Sequence, residues 1–217
     1  MKAIKIFMLT NFILFTFVSC TSVNKKVYIK QPKLMKQSIR VAVLPLKDAP
    51  KAQNSGVMIA DALTNELIKM SSWTLVERSQ FDKVLSESEL EMSGITSGDA
   101  VKIGNKLNTD YIIIGSVGRF ESKNQLFIIP RTKINFNLRI IHVATGSIVG
   151  TVEYNRETNK YWGVGCCTGY YALILVLLLF AKDKNIQRDV SKASYDVVNT
   201  ISKDVYNRSI PRSSGCL

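Results

Sequence analysis

Tyr111-Ile112-Ile113-Ile114-Gly115-Ser116-Val117 is an uncharged, strand-length apolar run. It does not alternate between apolar and polar residues, which predicts a strand covered on both faces. Helices must then lie above and below it, and the preceding chain supplies candidates. Residues 39–46 (IRVAVLPL) read as a buried strand stopped by Pro45. From Gly56 to Met70, Val57, Ala60, Leu63, Thr64, Leu67 and Ile68 recur at spacings of three and four, a helix face with Ser55 as its expected N-cap. Residues 73–77 (WTLVE) read as a second strand. Ser79 is expected to cap a helix running to about Leu90 with Phe81, Val84 and Leu85 inward, and Ser97 a helix with Ala100, Val101, Gly104 and Leu107 inward.

Beyond the apolar run, Ile134, Phe136, Leu138, Ile140 and His142 alternate along 133–143. Ala144-Thr145-Gly146 reads as a tight turn, and 147–156 as the hairpin partner. Residues 186–207 predict a long amphipathic helix with Ile186, Val190, Ala193, Val197, Ile201 and Val205 inward. The order is β-α-β-α-α-β-β-β-α. It implies an α/β fold: a three-layer-like mixed sheet with helices on its faces, parallel strands early, an antiparallel hairpin late and a long C-terminal helix.

The N-terminus has a different character. Lys2 and Lys5 precede an apolar stretch, Ile6 to Val18, and Phe17-Val18-Ser19-Cys20 resembles the block read by lipoprotein signal peptidase, with Phe17 where that block prefers Leu. On this reading residues 1–19 are a signal peptide and the Cys20 thiol carries lipid. An uncleaved anchor helix or an ordinary secretory signal are the alternatives. Residues 20–38, polar, basic and without period, are expected to be a lipidated tether, 39–208 the α/β domain with an apolar insertion at 157–185, and 209–217 a flexible tail.

The formal net charge is +12, and loss of Lys2 and Lys5 with the signal leaves +10. The basic residues are scattered, so the charge reads as solubility and attraction to a membrane surface rather than as a nucleic-acid site. The chain has one histidine and four cysteines (Cys20, the adjacent Cys166 and Cys167, and Cys216), which leaves no pattern for structural zinc. No serine sits in a nucleophile elbow. His142 fits a core or hairpin-end role better than that of a general base. Glu77-Arg78 reads as a strand-end ion pair or cap, and Glu87, Glu89 and Glu91 as a solvated helix face and its exit loop. Catalytic residues, cofactors and metals are therefore not expected.

From Tyr161 to Ala181 no residue is charged. Tyr161 and Trp162 flank one end and Lys182 and Lys184 the other, around Leu173, Leu175, Leu177, Leu179 and Phe180. About twenty apolar residues span a bilayer as a helix. However, Gly163, Gly165 and Gly169 weaken the first third, and the strongly apolar part covers only residues 170–181. Two kinds of role fit: a membrane-embedded or membrane-facing helix, or else buried packing or an oligomer interface. The segment does not alternate as a porin-type strand would.

Five blocks in order carry a family resemblance: VAVLPL, GVMIADALTNELIK, LVERSQFDKVLSE, AVKIGNKLNTDYIIIGSV and NLRIIHVATGSIVGTVE. They resemble the curli production assembly/transport component (CsgG) family of lipoproteins, over about 40–153 and the C-terminal helix. The resemblance implies a fold of the anticodon-binding or TolB N-terminal type. It implies no catalysis. The family's founding member is a ring-forming outer-membrane channel that exports amyloid subunits; relatives include activators of cell-wall synthases and lipoproteins linked to flagella. Its channel members join two amphipathic hairpins per subunit into one barrel. Here the first such insertion, between Gly118 and Lys133, is too short to span, and Pro130 is expected to break its ladder. The reading is a non-catalytic, lipid-anchored envelope protein, assembled with copies of itself and acting in assembly or secretion, with envelope or secreted proteins as partners. It would sit on the outer membrane facing the periplasm, with the inner membrane as alternative, since Thr21 stands where an Asp would signal inner-membrane retention. The competing reading is a regulatory lipoprotein that binds a cell-wall synthase or a flagellar structure.

Overall fold

The computed structural model describes residues 19–30, 32–84, 96–125, 129–160 and 182–207. Strand β1 spans Ser19–Ile29 and β2 spans Ile39–Val43. Helix α1 (Ser55–Leu67), β3 (Trp73–Leu75), α2 (Arg78–Val84) and α3 (Ser97–Lys106) follow. Then come β4 (Tyr111–Gln125), β5 (Ile129–His142), β6 (Ser147–Lys160) and α4 (Lys182–Tyr206). The sheet order is β1-β6-β5-β4-β2-β3. Strand β2 runs parallel to β3 and β4; every other pairing is antiparallel. The mixed α/β sheet expected from the apolar run is what forms.

Two cores explain why that run does not alternate. Ile113 and Val117 join Val41, Leu63, Phe136 and Val197 beneath α1 and α4. Ile112 and Ile114 join Leu44, Phe81, Ile103 and Ile141 on the opposite face, beneath α2 and α3. Neighbouring residues of β4 thus bury in opposite directions, and Ile112 and Ile113 are at most 2% exposed. Burial of each such side chain contributes roughly 1.5–3 kcal/mol.

Two helix starts differ from expectation by one residue. Ser55 is the first residue of α1, and its hydroxyl accepts from the Ala49 N–H at 3.0 Å. Asp48 does the capping, accepting from the N–H groups of Asn54 (2.8 Å) and Gly56 (2.7 Å). The loop closes so tightly that a Cβ on Gly56 would stand 1.8 Å from the Leu46 carbonyl oxygen, so only glycine fits. Helix α3 is capped by Thr96 rather than Ser97: the Thr96 hydroxyl accepts from the Asp99 N–H. The same hydroxyl donates to the Asp99 carboxylate at 2.6 Å and holds its pKa below the ordinary value.

The expected tether is the largest difference. Residues 19–29 form an eleven-residue edge strand, paired with β6 from Ser19 opposite Lys160 to Ile29 opposite Gly150. A short 3-10 turn, Leu34–Lys36, then seats Met35 in the core at 1% exposure. The Met35 carbonyl accepts from Trp73 Nε1 at 3.0 Å and from the Tyr206 hydroxyl at 3.4 Å. An edge strand needs burial on neither rim nor outer face, so its sequence can stay polar and basic. Pro130, expected to break a ladder, lies within β5 opposite Asn124.

Candidate functional site

Strands β4, β5 and β6 continue well past the body of the domain, and β1 runs beside them. Only Val41 to Val43 of β2 pair with β4, at Tyr111 to Ile113, with a further bridge from Lys47 to Ser116. Beyond Val117 the sheet is a four-stranded antiparallel extension, β1-β6-β5-β4. The cross-strand registers align Cys20 with Asn159, Arg131 and Lys123 in one row at its far end. The residue expected to carry lipid is therefore the second residue of β1, at the tip of the extension. The apolar segment follows β6 directly after Lys160, itself opposite Ser19. Tyr161, Trp162, Leu173, Leu175, Leu177, Leu179 and Phe180 lie outside the described residues.

The two faces of the extension differ. One is closed by α4. Phe136 and Tyr154 stack there with centroids 5.1 Å apart, and the Tyr154 hydroxyl donates to Asp196 Oδ2 at 3.1 Å. Burial raises the Tyr154 pKa well above its ordinary value of 10.0. One residue pair further out, Arg156 stands between two carboxylates of α4, with Nη2 3.6 Å from Asp189 Oδ1 and Nη1 3.6 Å from Asp196 Oδ2. Its Nε donates to Thr158 at 3.3 Å. Arg156 and Asp189 are 7% and 2% exposed, and neither Asp189 Oδ2 nor the Ser194 hydroxyl has a hydrogen-bond partner among the described residues. A buried charge needs its counter-charge, so this cluster fixes how α4 lies on the sheet.

The other face is uncovered among the described residues. Arg119, Asn135, Asn155 and Asn24 form one row across all four strands; Ser116, Asn137, Glu153 and Lys26 form a second; Arg139, Thr151 and Tyr28 stand in a third. A bulge after Val117 keeps Arg119 on this face. Asn135 leans over Gly118, where a Cβ would stand 2.7 Å from its Oδ1. The glutamates of this face are all engaged. Glu121 lies 3.6 Å from Lys123, and Glu153 3.9 Å from Lys26. Glu157 accepts from Arg131 Nε at 2.9 Å and lies 3.4 Å from Lys133, and the hydrogen bond from Arg131 holds its pKa below the ordinary carboxylate value. Arg119 and Arg139 are exposed and have no acidic partner among the described residues.

Nothing described assembles a reaction centre. His142 Nδ1 is 2.9 Å from the Thr145 hydroxyl in the hairpin turn, with its ring 5.1 Å from that of Tyr111. Arg78 pairs at 3.6 Å with Asp61 of α1 rather than with its neighbour Glu77, which accepts from Ser79. Arg78, Asp61, Thr64, Pro45 and Phe81 line a cavity of ≈ 40 Å³, room for water but not for a metabolite. Glu87, Glu89 and Glu91 lie outside the described residues. No described group of His, Cys, Asp or Glu is placed to hold a metal, and no described helix is long and apolar enough to cross a membrane.

The family model of the curli production assembly/transport component CsgG matches residues 15–125. No curated protein matches in sequence. Among solved structures, the PelC dodecamer from Paraburkholderia phytofirmans is similar at 12% identity and TM-score 0.48, over 88% of this chain and 100% of that one. Lipoprotein GNA1162 from Neisseria meningitidis is similar at 14% and 0.44, over 69% and 99%. The LpoB C-terminal domain from Escherichia coli is similar at 15% and 0.39, over 62% and 96%.

Proposed function

Because the chain belongs to the curli production assembly/transport component family, we propose that it is a non-catalytic envelope lipoprotein, lipidated on Cys20 and acting in assembly or secretion at the outer membrane as an oligomer of identical copies. The observation that carries this reading is the β1–β6 register. It sets Cys20 opposite Asn159 and so puts the residue expected to take lipid on the strand next to the one that leads into the uncharged segment 161–181. Cys20 and Lys160, the residue that precedes the uncharged segment in sequence, thus lie at the same end of the sheet. Several acyl chains on one cysteine hold a protein at a membrane durably.

Self-assembly draws support from the two edges of the extension. Past Val117, β4 has no partner on the side away from β5, and β1 has none on the side away from β6, among the described residues. The two strands run antiparallel, so β1 of one copy can extend the ladder of β4 in the next while every Cys20 stays at the same end. Unpaired edges of this length are otherwise an aggregation hazard.

Lipidation is tested with Cys20→Ala, which should abolish labelling by a clickable fatty acid and leave an unprocessed precursor. Membrane contact by 161–181 is tested by carbonate extraction of the unlipidated protein. Recovery in the pellet, with release by Leu175→Lys but not Leu175→Met, supports it; recovery of the unlipidated wild type in the supernatant rejects it. Assembly is tested by electron microscopy and light scattering in detergent. A monomer that co-purifies with a single cell-wall enzyme would replace the assembly reading with a regulatory one.

A further inference from the structure

The uncovered face of the sheet extension has a chemistry that folding does not explain. Three amides, Asn24, Asn155 and Asn135, stand side by side on adjacent strands, and Arg119 ends the row. Asn24, Asn155 and Arg119 are exposed, and Asn135, half-buried, leans over Gly118 of β4. Strand interiors ordinarily avoid asparagine because it does not fill a pleated surface well. A row of them on one face is poor in folding terms and rich in paired donors and acceptors.

We propose that this face is a binding platform for a linear polysaccharide carrying carboxylates, laid across the strands along the Arg119–Asn135–Asn155–Asn24 row. Adjacent strands are about 4.8 Å apart, close to the repeat of an extended glycan, so successive amides meet successive sugar rings. Each amide offers both a donor and an acceptor to ring hydroxyls. The guanidinium of Arg119 takes a carboxylate with two parallel hydrogen bonds, and Arg139, two rows away, can take a second. The charge agrees with an acidic ligand. All three glutamates of the face are already matched by Lys or Arg, while Arg119 and Arg139 have no acidic partner among the described residues. A protein partner fits less well. Stable protein interfaces are built around buried aromatic or aliphatic anchors, and the one large exposed apolar residue of these rows is Tyr28, at the sheet edge. Gly118 belongs to the device: without a side chain, it leaves the space into which the Asn135 amide leans.

The test uses the full chain in detergent with three probes: polygalacturonate oligomers, uncharged dextran and poly-glutamate, at physiological ionic strength. Polygalacturonate should bind, with dextran and poly-glutamate much weaker. Asn155→Ala and Arg119→Gln, both at exposed positions and expected to leave the melting curve unchanged, should each weaken polygalacturonate binding by about tenfold, the loss typical of one hydrogen-bonding group facing a charged or dense polar ligand. Lys51→Gln, an exposed charge away from this face, should have no effect. Absence of polygalacturonate binding overturns the proposal. So does dextran binding equally well, poly-glutamate binding equally well (which would make the partner an acidic polypeptide), or Lys51→Gln weakening binding as much as Arg119→Gln does. The measurement needs neither lipid on Cys20 nor assembly, so its outcome is independent of theirs.

Discussion

Arg156 and Asp189 meet at 3.6 Å in the buried seam between β6 and α4, and each is less than a tenth exposed. Removing one charge leaves the other without its partner in the interior. Arg156→Met should therefore lower stability by about 3–5 kcal/mol, read as a shift in the urea midpoint with unchanged slope. Adding Asp189→Leu should recover most of the loss, because an apolar pair of similar volume avoids the desolvation cost. A double variant no more stable than Arg156→Met would show that the pair does not position α4.

Ile113 is 2% exposed between Val41, Phe136 and Val197. Ile113→Asp should prevent folding, since burying an unpaired carboxylate costs several kcal/mol, comparable to the stability of a whole domain. Leu67→Asp, at 1% exposure on α1, should act in the same way. A soluble, protease-resistant Ile113→Asp protein would contradict the packing of β4.

Tyr154 predicts a dependence on alkaline pH. Its pKa is raised by burial, so the folded protein holds the phenol neutral where the unfolded chain would ionise it. The associated stability is fully present below pH 10.0 and is lost as pH rises above it. Tyr154→Phe should cost about 1 kcal/mol at neutral pH through the lost bond to Asp196. It should also flatten the decline in melting temperature above pH 10.0 relative to wild type. Parallel curves for the two proteins would refute the assignment.

The Met35 carbonyl receives the Trp73 indole and the Tyr206 hydroxyl, and the latter also bonds Ser72. Trp73→Phe keeps most of the apolar contact but removes the indole donor. The expected loss is about 1 kcal/mol, with faster hydrogen exchange around residues 32–38 as its local signature. Uniform exchange across the domain would show that this knot does not hold the 3-10 turn.

The parts of the fold that bury apolar surface were legible in the chain. Ile112, Ile113 and Ile114 required cover on both faces, and Ile134, Phe136, Leu138 and Ile140 gave the inward rhythm of β5. The parts that bury nothing were not. In β1, Val23, Val27 and Ile29 fall on one face at period two, but Lys25 interrupts them, and a strand at a rim needs no better pattern. The length of β4 was hidden likewise: after Val117 its residues are polar on one face, and a bulge breaks the alternation. The Asn row was invisible for a different reason. Asn24, Asn135 and Asn155 lie far apart in sequence, and only the cross-strand register makes them neighbours.

A strand that starts at Ser19 leaves no slack after Cys20. A flexible stretch of eighteen residues would let a domain wander over roughly 25 Å from its attachment point. Here the chain instead rises from Cys20 to Ile29 inside a ladder, at roughly 3.4 Å per residue. With lipid on Cys20, the sheet becomes a strut about 30 Å long whose foot is the acyl group and whose head carries α1, α2 and α3. The helical layers would stand at one height above the bilayer in every copy, so whatever they meet must come to that height.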